Sequence, residues 1–196
     1  MNKVIFGIFI ILLTGCATNQ PQQLTRSEWL STTSRDYEGV SKEQIINSVE
    51  QLFRLADGND FIITHSVEGL TATRPWIAYI VIAAAAGKDF WQLKVGPSEK
   101  GFKATIQVNS EAQGVSPTMT LNGDYVAGTS AMSGSPVMGT AIYDVFWSRL
   151  DYLLGKRKDW MTCKVADERV KQNITSGTNE ALCNSFNMND KLPNNL

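Results

Sequence analysis

At 196 residues the chain is long enough for one domain with a substantial core, or for a crowded pair. Apolar residues make up 43% and charged residues 19%, an ordinary globular balance that excludes disorder as the main state. A formal net charge of −1 leaves no basic excess to neutralise a phosphate backbone, so nucleic acid is not an expected partner.

Residues 1–15 have the layout of a secretory signal peptide. Lys3 supplies the positive n-region, residues 4–13 the apolar h-region, and Thr14 and Gly15 are small residues just before Cys16. The apolar run is too short to cross a bilayer, which takes about 20 residues. Leu13-Thr14-Gly15-Cys16 resembles the lipobox of bacterial lipoproteins. In that family the cysteine thiol carries diacylglycerol, the chain is cut before the cysteine, and the new amino terminus is acylated in turn. The resemblance implies Cys16 as the lipidation site and the membrane as a partner through an N-terminal lipid. Ala17, where an aspartate could stand, resembles the outer-membrane sorting pattern of Gram-negative lipoproteins. That implies an outer-membrane anchor with the body in the periplasm. Loss of Lys3 with the signal takes the charge from −1 to −2.

Residues 16–27 (CATNQPQQLTRS) are polar and form a tether between lipid and fold. Residues 28–36, with Trp29 among serines and threonines, are read as a first strand. Ser41-Lys42-Glu43-Gln44 has the form of a capping box, in which Ser41 accepts from the Gln44 amide and Gln44 reaches back. Behind it Ile45, Ile46, Val49, Leu52, Phe53 and Ala56 recur at three- and four-residue intervals, the apolar face of a helix that Asp57-Gly58 ends. Residues 61–66 and 70–74, around Glu68-Gly69, predict a hairpin. Residues 90–95 and 102–108 alternate apolar with polar on either side of GPSEKG, which implies an antiparallel sheet covered on one face. Asn122-Gly123 signals a further tight turn.

Ser135-Pro136 predicts the start of a second helix, with serine as N-cap and proline at the first helical position. Its apolar face would run from Val137 and Met138 to Leu153 and Leu154, with Gly155 as C-cap. Lys156-Arg157-Lys158 then complements the negative helix end, or forms a patch for anionic lipid headgroups. The tail after Asn184 is asparagine-rich and expected to fray. The fold class that follows is α+β: an antiparallel sheet of four to six strands with two amphipathic helices packed on one face.

Residues 77–86 form an uncharged run that stands out from the rest. A buried strand or hairpin arm is the favoured reading, because short apolar runs are more often interior. The alternative is an exposed lip touching lipid or a partner through Trp76, Ile77, Tyr79 and Ile80, with aromatics of the kind found at bilayer interfaces.

Cys163 and Cys183, the pair left after Cys16, predict a disulfide in an exported domain. The rival zinc site would need two more good ligands, and the single histidine, His65, lies far upstream. Met132-Ser133-Gly134-Ser135-Pro136-Val137 is similar to the stretch around the nucleophilic serine of trypsin-like proteases, preceded in order by His65 and Asp89. Ala131-Met132 replaces the expected glycine-acid pair, and the spacing from His65 to Ser133 is too short for two barrels. No catalytic residues, metal ligands or cofactors are therefore assigned, and His65 is read as a surface histidine.

Thr33-Ser34-Arg35-Asp36-Tyr37 before a helix, then Phe61-Ile62-Ile63-Thr64, a turn and Gly69-Leu70-Thr71-Ala72-Thr73-Arg74, resembles small helix-grip-like envelope lipoprotein domains such as the BamC-type accessory lipoproteins. That resemblance implies an envelope binding or scaffolding module with a protein partner and no cofactor. The expected organisation is a signal peptide (1–15), a lipidated tether (16–27), an α+β periplasmic domain (28–160) and a disulfide-closed C-terminal extension (161–196). A carrier of a lipid or hydrophobic ligand and an envelope hydrolase are the two alternatives.

Overall fold

Thr25 and Glu28 set the first helix. The Thr25 hydroxyl accepts from the Glu28 amide at 3.3 Å, and the Glu28 carboxylate accepts from the Thr25 amide at 2.7 Å, a complete capping box. This helix, α1 (Arg26–Thr33), replaces most of the strand expected over residues 28–36, and only Ser34–Tyr37 (β1) is extended. The hydroxyls that read as strand formers are satisfied within the helix: Thr33 Oγ1 donates to the Trp29 carbonyl at 3.0 Å, and Ser34 Oγ to that of Leu30 at 2.6 Å. The computed structural model describes residues 23–57, 60–80, 83–119, 125–131 and 134–183; for 57, 78–80, 83–84, 113–119 and 125–131 the backbone alone is described.

Helix α2 (Lys42–Asp57) starts where its capping box requires. Gln44 N donates to Ser41 Oγ at 3.1 Å, and Ser41 N to Gln44 Oε1 at 2.8 Å. Its apolar stripe buries Ile45, Val49, Leu52 and Phe53 completely. Strands β2 (Ile62–His65), β3 (Gly69–Ile80), β4 (Ala83–Ser98) and β5 (Gly101–Met119) form an antiparallel meander, with β1 on the far side of β5, in the order β1-β5-β4-β3-β2. Strands β6 (Tyr125–Ala131) and β7 (Ser135–Pro136) pair with β5 further along it. Six strands of four residues or more and one two-residue bridge thus give the expected antiparallel α+β architecture.

Ser135-Pro136 does not open a helix. Ser135 stands opposite Ser110 and Pro136 opposite Asn109 on β5, and the Val137 amide donates to the Val108 carbonyl at 2.9 Å. A proline with no amide to offer suits this edge position. Helix α3 (Ala141–Leu153) starts five residues later, and its N-cap Thr140 makes no side-chain bond to its own first turn. The C-terminal segment covers that end instead: Ala141 N donates to the Ser176 carbonyl at 2.9 Å, and Ser176 N donates to Thr140 Oγ1 at 2.9 Å. Gly155 ends α3 in the left-handed region (φ 68°), with Lys156 and Arg157 following as expected.

Helices α2 and α3 lie on one sheet face. The sheet offers Leu70, Ala72, Trp91, Leu93, Val95, Ala104, Ile106 and Val108 at period two, all buried, and turns Thr71, Gln92, Lys94, Lys103 and Gln107 to solvent. Phe53 sits 5.2 Å from Trp91 and 6.2 Å from Phe146, with Trp91 stacked on Phe146 at 5.8 Å (ring centres). Burying each such ring contributes about 1.5–3 kcal/mol by area alone.

Helix α4 (Cys163–Lys171), capped by Thr162, belongs to the same core through Met161, Cys163, Ala166, Leu182 and Cys183. Cys163 and Cys183 form a disulfide with their Cα atoms 5.4 Å apart. The expected frayed tail lies outside the described residues.

Candidate functional site

The body of the sheet, where helices cover it, ends at one row of residues. Arg74, Asp89 and Ser110 stand side by side in register, and β7 continues the row with Ser135. Ser110 Oγ donates to Asp89 Oδ1 at 2.8 Å, and the Trp76 indole donates to the same carboxylate. Arg74 Nη1 lies 3.8 Å from Asp89 Oδ2 and donates to the Glu180 carbonyl at 3.0 Å. This node ties β3, β4 and β5 to the disulfide-closed segment. The next row outward carries Lys88 opposite Glu111, both exposed, so opposite charges face each other across the strands.

Beyond that collar the sheet continues with no helix of the described residues on it, through positions that carry no charge. Positions 76–80 of β3, 83–87 of β4, 112–119 of β5 and 125–131 of β6 include no Asp, Glu, Lys or Arg. They form a four-stranded antiparallel arm in the order β3-β4-β5-β6, in which Ala78, Ala85, Gly114 and Ser130 occupy one cross-strand row. Gly87 is required at its root. A Cβ there would lie 2.4 Å from Cζ2 of Trp76 and 2.1 Å from the Glu111 carbonyl oxygen, so the indole lies across the strand only because the side chain is absent.

Positions 77–80 and 83–86 pair across β3 and β4 as the expected hairpin arm, but Ile77 is not buried there. Ile77 is 63% exposed and Trp76 half-buried, because the arm extends past the helices that would cover it. Tyr79 and Ile80 hold the adjoining backbone positions of β3, and their side chains lie outside the description. Cys16 also lies outside the described residues, as do Ser133 and the Asn122-Gly123 turn. The strands flanking that turn pair with each other, Met119 opposite Tyr125.

Asp89 is only 7% exposed, and burial pushes its pKa above the ordinary 3.8, against the pull of Ser110, Arg74 and Trp76. The folded protein therefore holds this proton more tightly than the unfolded chain. Stability from the group is complete below pH 3.8 and falls as pH rises through the folded-state pKa. Asp89→Asn should flatten that part of the pH profile and be no less stable than the parent at neutral pH. Urea midpoints at pH 4 and pH 7 measure it, and an unchanged slope would refute the assignment.

His65 and Asp89 are not brought together. His65 Nε2 lies 2.8 Å from Glu50 Oε2 on α2, where the Arg54 hydrogen bond also holds Glu50 below the usual carboxylate range. On the other end of the sheet, Tyr37 donates to Asp151 at 2.9 Å beside an Arg35–Asp151 ion pair, and burial pushes the Tyr37 hydroxyl pKa well up. Tyr143, donating to the Val137 carbonyl at 2.9 Å, is raised to about 12 by burial. Both phenols are therefore neutral packing groups at physiological pH. A shallow cleft of about 340 Å³ runs between α2 and the end of α3, lined by Gln44, Asn47, Ser48, Gln51, Leu153 and Lys156 among others. Amides and one lysine can bind a polar group there but offer no nucleophile paired with a base.

Among the described residues no group of three His, Cys, Asp or Glu is placed to hold a metal ion, and no helix is long and apolar enough to cross a membrane. No family model, curated protein or solved structure matches the chain. The arm and its collar are therefore the features from which a function must be argued.

Proposed function

We propose that the chain is a lipoprotein held to the outer membrane through Cys16, and that its body is a non-enzymatic binding module whose contact surface is the arm. The observation that carries this reading is the uncharged four-stranded sheet standing clear of a complete core. Such a surface costs solubility and contributes nothing to the helix-covered interior, which its use in contact explains. Strand length favours a protein over a bilayer as what it meets. Positions 76–80 and 83–87 offer five uncharged residues each, 112–119 eight and 125–131 seven, all short of the roughly 9–11 that a membrane-spanning strand needs. The carrier reading is less favoured, because aromatic rings fill the space between sheet and helices where a ligand would sit.

Photo-crosslinking in intact envelopes tests the reading. A photoreactive residue at Ile77 should give discrete protein adducts, and one at Gln107, exposed on the body, should not. Equal labelling from both sites, or lipid adducts alone from Ile77, would overturn it. Ile77→Asp should stay within about 0.5 kcal/mol of the parent in urea, as an exposed substitution does. It should nonetheless lose the adducts from a probe at Ala86, which stands opposite Ile77. Unfolding of this variant would return the segment to the core.

A further inference from the structure

Among the described residues, nothing pairs with the outer side of either edge strand of the arm. Strand β2 covers β3 only from Leu70 to Thr73, and among the described residues positions 76–80 pair with β4 alone. Strand β6 pairs, among the described residues, with β5 alone. Proteins commonly blunt such edges with lysine, proline or a bulge, since unpaired amides and carbonyls recruit another strand. Here Pro75 stands at the root of the β3 edge, but WIAYI beyond it and YVAGTSA on β6 carry neither charge nor proline. Among the described residues neither edge is guarded beyond Pro75: positions 76–80 on β3 and 125–131 on β6 are left for another strand.

We propose that the arm joins copies of this chain edge to edge, β6 of one copy pairing with β3 of the next. This rests on the lipoprotein reading above. Four strands is an even number, so the outer two run in opposite directions, and β6 set beside the next β3 makes an antiparallel ladder. The other self-pairings, β3 with β3 or β6 with β6, are antiparallel only about a two-fold axis perpendicular to the sheet. That axis would throw the two bodies to opposite ends, whereas copies anchored by Cys16 in one membrane keep their bodies on one side. Head-to-tail contact does so, and repeated rotation closes a ring. The arm is already staggered for this. Ala131 stands level with Ile77 through Gln113 and Ala86, and β6 then runs past the tip of the β3–β4 hairpin. A progressive stagger is what a closed, tilted set of strands requires.

Cysteine pairs in the full, membrane-anchored chain test the proposal. Ala78 shares a face with Ser130, so Ala78→Cys is combined in turn with Ser130→Cys, Gly128→Cys and Val126→Cys, which covers the same-face registers. The native bridge and the acylated Cys16 leave the introduced thiols as the reactive pair. Mild oxidation in the envelope should give a ladder at whole-number multiples of the monomer mass in at least one register, and each single variant should stay monomeric. The unsubstituted chain, extracted in mild detergent, should weigh a multiple of the monomer by light scattering. Dimers from single variants would overturn the head-to-tail arrangement. Monomer by mass with no ladder in any register would overturn self-association. In that event, surviving adducts from Ile77 to a different protein keep the binding-module reading, and their absence removes it too.

Discussion

Arg149→Met should destabilise the protein by about 3–5 kcal/mol, a large share of the roughly 5–15 kcal/mol that holds a domain together. Arg149 is 1% exposed within the apolar face of α3. Its Nε donates to the Met161 carbonyl at 3.0 Å, Nη1 donates to the Leu182 carbonyl at 3.1 Å, and Nη2 lies 3.3 Å from Cys163 Sγ. The guanidinium carbon is 4.7 Å from the centre of the Trp160 ring. Methionine fills much of the stem volume but leaves two buried carbonyls without their donors, at about 1–3 kcal/mol each, and removes the cation from the indole. The damage should concentrate in residues 161–183, so limited proteolysis should cut there first while α2 and the sheet stay protected. Arg149→Lys cannot reproduce the planar fork and should recover only part of the loss. A urea midpoint within about 1 kcal/mol of the parent would show that the disulfide segment does not depend on this side chain.

The second large effect is all-or-none and concerns Cys16→Ser. In the lipoprotein reading the Cys16 thiol is the atom that takes the lipid, and a serine hydroxyl does not replace it. The variant should incorporate no labelled palmitate and keep residues 1–15, which adds the mass of an uncleaved signal. It should also leave the outer-membrane fraction. Undiminished label would end the lipoprotein assignment, and with it the same-side argument for arm pairing.

What could be read in the sequence was whatever carries its own period or local chemistry. The Ser41–Gln44 box and the stripe behind it define α2 because cap and repeat lie within a few residues of each other. Alternation over 90–95 and 102–108 identifies β4 and β5 because only one face there is buried. The disulfide is legible as an even cysteine pair in a chain whose first residues read as an export signal. Ser135-Pro136 misled because the same dipeptide suits a helix start and an edge bridge, and the pairing with Asn109 and Ser110 is a long-range matter. Helix α1 had a readable signal in Thr25-Arg26-Ser27-Glu28, outweighed by the β-branched and aromatic residues after it. The arm had little. Its positions 76–80 and 83–87 are small or apolar throughout, and the alternation of Val115-Ser116-Pro117-Thr118-Met119 on β5 marks a polar face without showing what lies against the other. Arg149 was hidden for a related reason: what satisfies it comes from residues 161–183, after its own helix has ended.

Strand β5 also fixes an order of events as the chain folds. Its outer half needs only the short 120–124 connection to pair with β6, and its inner half meets β4 across the tight turn at Glu99-Lys100. Hairpins of that kind close within about 1–10 μs. Pairing of β1 with β5 sets Ser34 opposite Thr105 and must close a loop of about seventy residues, and such distant contacts form later. The undefended edges thus exist before the body that carries them is complete. In the lipoprotein reading, a chain delayed in the periplasm would present sticky strands with nothing behind them, and prompt delivery to the anchor would limit that interval. Blocking lipidation should therefore raise insoluble, β-rich material as well as misplace the protein, and removing β6 should suppress the deposit.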